Sequence, residues 1–166
     1  SYFAEAFPDA GYGVELAMRL ATVSGDDENA VKFAEQQLTY SYDTFDLPYA
    51  LYVLRNHEIR QNRHGQALAR YNDFFPELAA AEPLVNRSNV MASVDLVPVL
   101  RGLGRSDQAD RLAQRTLALL QSIPRGGYFG SRTLKAEMLA LTGDKPAALA
   151  ALNEDIESGW MTYWLD

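Results

Sequence analysis

The chain contains no cysteine. That excludes disulfides, thiolate metal sites and thiol nucleophiles, and it leaves the redox compartment unmarked. Long apolar runs are missing as well: none approaches the roughly 20 residues a helix needs to cross a bilayer, so these residues are not expected to insert into a membrane. Positive charge is scarce, with 15 Lys and Arg against 22 Asp and Glu and a net charge of -7. Phosphate backbones are bound by basic surfaces, so direct nucleic-acid binding is not expected. The acids are scattered and form no tail. The N-terminal stretch SYFAEAF lacks a starting Met and a charged-then-apolar leader pattern. We therefore expect an excised domain or mature fragment that does not itself declare its compartment. What is present is 48% hydrophobic and 22% charged over 166 residues, the balance of a globular domain long enough to bury a core.

The stretch LTGDKPAALAAL, residues 141–152, begins like a phosphate-cradling loop. A second loop glycine is absent, however, and no strand pattern precedes it. The same stretch also occurs four times, as GDDENAVKF from Gly25, NRHGQALAR from Asn62, GRSDQADRL from Gly104 and GDKPAALAA from Gly143. Each copy places an alanine five residues after its first member: Ala30, Ala67, Ala109 and Ala148. Intervals of 37, 42 and 39 residues between these alanines are the signature of a helical-hairpin array. Gly, or Asn in the second copy, ends one helix with left-handed dihedrals. Asp26, Asp107 and Asp144 are expected to cap the next, and Pro146 suits its first turn. The stretch turns the chain and holds no phosphate.

Helical spacing flanks every turn. Leu16–Leu20–Val23, Leu47–Leu51–Leu54, Leu96–Leu100–Leu103 and Leu134–Met138–Leu141 precede the turns with the 0, 4, 7 spacing of one helix face. Ala30–Phe33–Ala34–Leu38, Ala67–Tyr71–Phe74–Leu78, Ala109–Leu112–Ala113–Leu120 and Ala148–Leu152–Ile156 follow them. These eight segments predict an all-α, right-handed solenoid of four antiparallel helical pairs. It is read as a single domain over 1–166, with repeats near 11–42, 46–80, 88–122 and 128–159 and a C-terminal cap or further helix at 160–166. Pro98 is expected to kink the fifth helix or delay its start, and Pro76 to break the fourth.

Few residues suggest chemistry. HEIRQNRH, from His57 to His64, lacks the four-residue histidine spacing of a helical zinc site, since position 61 is Gln61. No metal and no cofactor are expected. RGGYFGSRT, Arg125 to Thr133, could offer glycine amides, Ser131 and Thr133 to an anion, but it falls where a connection between helical pairs is due. Ser131 and Lys135 are four apart, not the three of a Ser-x-x-Lys nucleophile, so no catalytic residue is assigned. Tyr40, Tyr42, Phe45, Tyr49 and Tyr52 crowd into thirteen residues. Most are expected to fill a junction between helical pairs, and the rest to line a groove.

The Gly-Asp turns and small second-helix residues resemble the tetratricopeptide-repeat family, although the bulky first-helix aromatic of its consensus is missing from most copies. The C-terminal half, from Asn86 through the ending Gly159–Trp160 and Tyr163–Trp164, is similar to tetratricopeptide regions of bacterial signalling proteins, where they follow a winged-helix or cyclase domain. The resemblance implies a non-enzymatic scaffold that recognises a polypeptide or partner domain through its concave face. It places Tyr12, Glu15, Arg19, Tyr49, Tyr52, Asn56, Arg101 and Glu137 at groove positions on the first helices. The alternative is a ligand-sensing or oligomerising domain of a bacterial regulator, in cytoplasm or periplasm according to what precedes Ser1. Trp160 is expected to pack back near Leu152 and Ile156. Trp164 is expected to stay open, so that the C-terminal edge can pair with another copy.

Overall fold

A computed structural model describes residues 11–40, 47–123 and 133–157, with the side chains of all of these except Gly11 and Tyr12. Every regular element among them is helical: α1 (Gly11–Ser24), α2 (Asp27–Gln37), α3 (Leu47–Arg60), α4 (His64–Phe74), α5 (Val90–Gly102), α6 (Ser106–Ser122), α7 (Leu134–Leu141) and α8 (Lys145–Glu157), with a short 3-10 helix at Pro76–Ala79. The protein is all-α. It divides into two compact units, Ser1–Phe74 and Phe75–Asp166. In the first, α1 packs on α2, α2 on α3 and α3 on α4; in the second, α5 packs on α6 and α7, α6 on α7, and α7 on α8.

The same turn closes four helices. Gly25, Asn62, Gly104 and Gly143 have φ of 74°, 61°, 73° and 89°. The next residue's amide then reaches back five positions: Asp26 to the Ala21 carbonyl at 2.9 Å, Arg63 to Glu58 at 2.8 Å, Arg105 to Leu100 at 2.9 Å and Asp144 to Leu139 at 3.0 Å. This is the six-to-one bond that satisfies carbonyls a helix end leaves orphaned. Glycine takes the left-handed conformation without steric cost, and Asn62 is the one side chain that adopts it here. One turn later Ala30, Ala67, Ala109 and Ala148 are all buried, where a small side chain lets helix backbones approach.

Capping follows expectation in two turns and departs in a third. Asp26 accepts from the Asn29 amide at 3.2 Å, and Asp144 from the Ala147 amide at 3.1 Å. Asp107 does not cap: α6 begins at Ser106 with Arg105 at its N-cap and no side-chain cap bond. Asp107 instead sits in the first turn, where its charge complements the helix dipole. The Asn29 side-chain amide, and then its backbone amide, hold the Asp26 carboxyl below the ordinary carboxylate range. A lowered folded-state value means stability that is full above the ordinary 3.8 and lost as pH falls through the folded value. The melting-temperature gap between wild type and Asp26→Ala should therefore be widest near neutrality and close between about pH 4 and about pH 2. A gap that stays constant across a pH series of melts would remove the charge from this account.

Two other expectations meet corrections. Leu16, Leu20 and Val23 do not form the core face of α1: they are 37%, 56% and 76% exposed, whereas Val14, Met18 and Ala21 are buried. Both triads have 0, 4, 7 spacing, and the inward one packs with Ala30, Ala34, Ala50, Val53 and Leu54. Pro98 does not delay α5, which starts at Val90 and runs through it. Val90, Ala92, Val94, Leu96, Val97, Val99 and Leu100 are all buried, and packing on nearly every side outweighs the proline's lost amide bond. Pro76 acts as expected, since α4 ends at Phe74 and Pro76 opens the 3-10 turn.

Buried polar groups tie the units internally. Arg70 on α4 pairs with Glu58 on α3 at 2.5 Å, with side chains 17% and 3% exposed. In the second unit the Thr116 hydroxyl of α6 donates to the Ser93 hydroxyl of α5 at 3.0 Å. Asn89 is buried. Its amide nitrogen donates to Glu77 at 2.7 Å and to the Leu84 carbonyl at 3.0 Å, and its oxygen accepts from the Asn86 amide at 2.8 Å. The Trp160 and Trp164 expectations lie outside the described residues, as do Tyr42, Phe45 and the loop with Ser131. On α8, Leu152 is half-buried and Ile156 exposed. No helix among the described residues is long and apolar enough to cross a membrane.

Candidate functional site

Two helices of the first unit bring the expected side chains together. On α1, Glu15 and Arg19 stand one turn apart and form an ion pair, in the order that helices favour. The Arg19 guanidinium lies 4.3 Å from the centre of the Tyr49 ring on α3. Tyr49 stacks on Tyr52, with ring centres 6.1 Å apart and planes 20° from parallel. Tyr52 in turn meets the Arg55 guanidinium at 4.8 Å. The result is a ladder of Glu15, Arg19, Tyr49, Tyr52 and Arg55 that bridges α1 and α3. Each cation over a ring contributes about 0.5–2 kcal/mol, more where water is excluded.

Burial separates the roles along this ladder. Glu15 and Arg55 are buried, Arg19 and Tyr49 are half-buried, and Tyr52 is 41% exposed. The inner members fix the position of the outer ring before anything arrives. Tyr52 therefore offers a large, rigid, amphipathic surface with little conformational freedom to lose on contact.

Arg55 was not among the expected groove residues. Its signal was present: continuing the three-residue step from Tyr49 to Tyr52 reaches Arg55, on the same face of α3. Asn56, which was expected, is half-buried one residue further on. The Tyr12 side chain lies outside the description.

The two remaining residues belong to the second unit and are engaged there. Arg101 at the end of α5 donates to the Leu141 carbonyl of α7 and, at 2.9 Å, to Asp110 of α6. It pins three helices and supplies a donor to a helix C-terminus. Glu137 is exposed on α7 and accepts from the Thr133 hydroxyl at 3.1 Å.

His57 pairs with the Gln61 side chain at 2.9 Å, and His64 opens α4. Among the described residues no group of three or more His, Cys, Asp or Glu is placed to hold a metal ion. No family model, no curated protein and no solved structure matches this chain.

Proposed function

We propose that the protein is a non-enzymatic binding domain built of helical hairpins in the tetratricopeptide manner, two hairpins to each unit, which captures a polypeptide or partner domain. The observation that carries this reading is the ladder across α1 and α3, the first helices of two successive pairs, with Tyr52 at its exposed end. Four identical helix-ending turns, each followed by a buried alanine, support the hairpin element of the proposal. So does the order of packing, in which helices touch their neighbours in sequence. Aromatic and arginine side chains held rigidly at a surface are the usual anchors of a protein interface.

Tyr52→Ala should leave the helical content and melt close to wild type, because the ring is 41% exposed, and should weaken partner capture about tenfold or more. The comparison is Arg111→Ala, an exposed change on α6. A benzophenone photo-crosslinker at position 52 should label the captured protein, and one at position 111 should not. Equal labelling at both positions, or capture unaffected by Tyr52→Ala, overturns the proposal.

A further inference from the structure

We propose that the outward face of α1 is a docking site for a basic amphipathic helix of another polypeptide. Leu16, Leu20 and Val23 stand in a line about 10 Å long, at 37%, 56% and 76% exposure. On its other side the same helix carries Val14, Met18 and Ala21 at identical spacing, all buried, with Met18 and Ala21 set against Ala30 and Ala34 of α2. A ridge of side chains four apart fits the groove of a second helix. Helix α1 presents that ridge twice, and only the inner one is covered within the described residues.

Charge selects the occupant. The only charged residues of α1 are Glu15 and Arg19, which pair with each other, so the stripe itself is apolar. At its C-terminal end it runs into Asp26, Asp27 and Glu28, all exposed. Residues 1–74 hold eleven acids against six bases. An apolar strip that ends at an acidic turn complements a helix with leucine-like anchors at i, i+4 and i+7 and with lysine or arginine beyond them. A second copy of this chain, at -7, would bring acids to the acids. The site does not depend on the tyrosine–arginine ladder.

The test uses a labelled, lactam-stapled Leu/Lys amphipathic peptide, its scrambled isomer and a Leu/Glu counterpart, titrated by fluorescence anisotropy into the whole chain. The Leu/Lys peptide should bind, more weakly as salt rises, and the other two should bind at least about tenfold more weakly. Leu20→Ser and Val23→Ser should each weaken the Leu/Lys peptide about tenfold with unchanged melts, whereas Tyr52→Ala should leave it within about twofold. That contrast keeps the two surfaces distinguishable. The proposal is overturned if the scrambled peptide binds equally, or if the serine variants bind like wild type. It is equally overturned if the chain self-associates and Leu20→Ser makes it monomeric, or if binding appears only once residues 1–10 are deleted.

Discussion

Arg70→Ala should cost about 3 kcal/mol of folding stability, the lower end of the range for breaking a buried ion pair. Glu58 is almost wholly buried and its Oε1 accepts from Arg70 at 2.5 Å, while its Oε2 is buried without a hydrogen-bond partner. Removing the guanidinium leaves a carboxylate with neither water nor a cation, and that desolvation dominates the loss. Arg70 keeps some solvent contact, 17% of its side chain, which is why the lower end applies. The double variant Glu58→Leu, Arg70→Leu removes both charges and should recover most of the loss, since a buried pair and an apolar pair of similar volume are often near parity. Urea titrations of the three proteins decide it. If Arg70→Ala falls within about 0.5 kcal/mol of wild type, the pair is solvated in solution and contributes as little as a surface one.

Ala109→Leu should cost about 1–3 kcal/mol through overpacking. Ala109 is fully buried, as are Leu112 and Ala113 on the same helix and Leu96 and Leu100 on the neighbouring α5. Added methylenes there must displace a backbone or force rotamers. A neighbouring position does not serve as an inert control: the Gln108 side chain donates to the Ala79 carbonyl at 2.6 Å. Arg111 is exposed on the same helix, and Arg111→Leu should stay within about 0.5 kcal/mol. Comparable losses at 109 and 111 in a denaturant series would remove the close-crossing role of the turn alanines.

The turns were the most legible part of the sequence. A left-handed residue has few chemical solutions, so Gly25, Asn62, Gly104 and Gly143 announce themselves, and the alanine five positions on is fixed by the same geometry. The face of α1 was illegible from spacing, because Leu16–Leu20–Val23 and Val14–Met18–Ala21 obey one rule equally well. Only the position of α2 decides between them. Leucine and valine outweigh alanine in apolar content, so the larger triad looked like the core and is in fact exposed. Asp107 failed as a cap because the helix start shifted by a residue or two, a distance that local chemistry scarcely encodes.

The ladder shows the same division. Glu15, Arg19, Tyr49 and Tyr52 were found because first-helix positions recur at intervals of one turn. That Arg19 would lie on Tyr49 depends on how α1 and α3 are brought together, which no local pattern states. Arg101 shows the converse: a residue at a groove position by register is occupied inside its own unit, donating to Leu141 and Asp110. Register gives a residue's place along a helix, and only packing says what its side chain reaches.

The buried Asn89 has a consequence for how this chain can change in length. The four left-handed turn residues are separated by 37, 42 and 39 positions, yet the turns themselves are identical to the bond. Length differences are therefore stored away from the turns. The longest interval contains the 3-10 helix and the irregular stretch up to Asn89, and one side chain gathers that slack by bonding Glu77, Leu84 and Asn86 together. An asparagine used in this way is a tolerance device: residues could be gained or lost between its three partners while the helix that starts behind it stays in register. Drift in such a family would collect in front of the asparagine, and the turns would keep time.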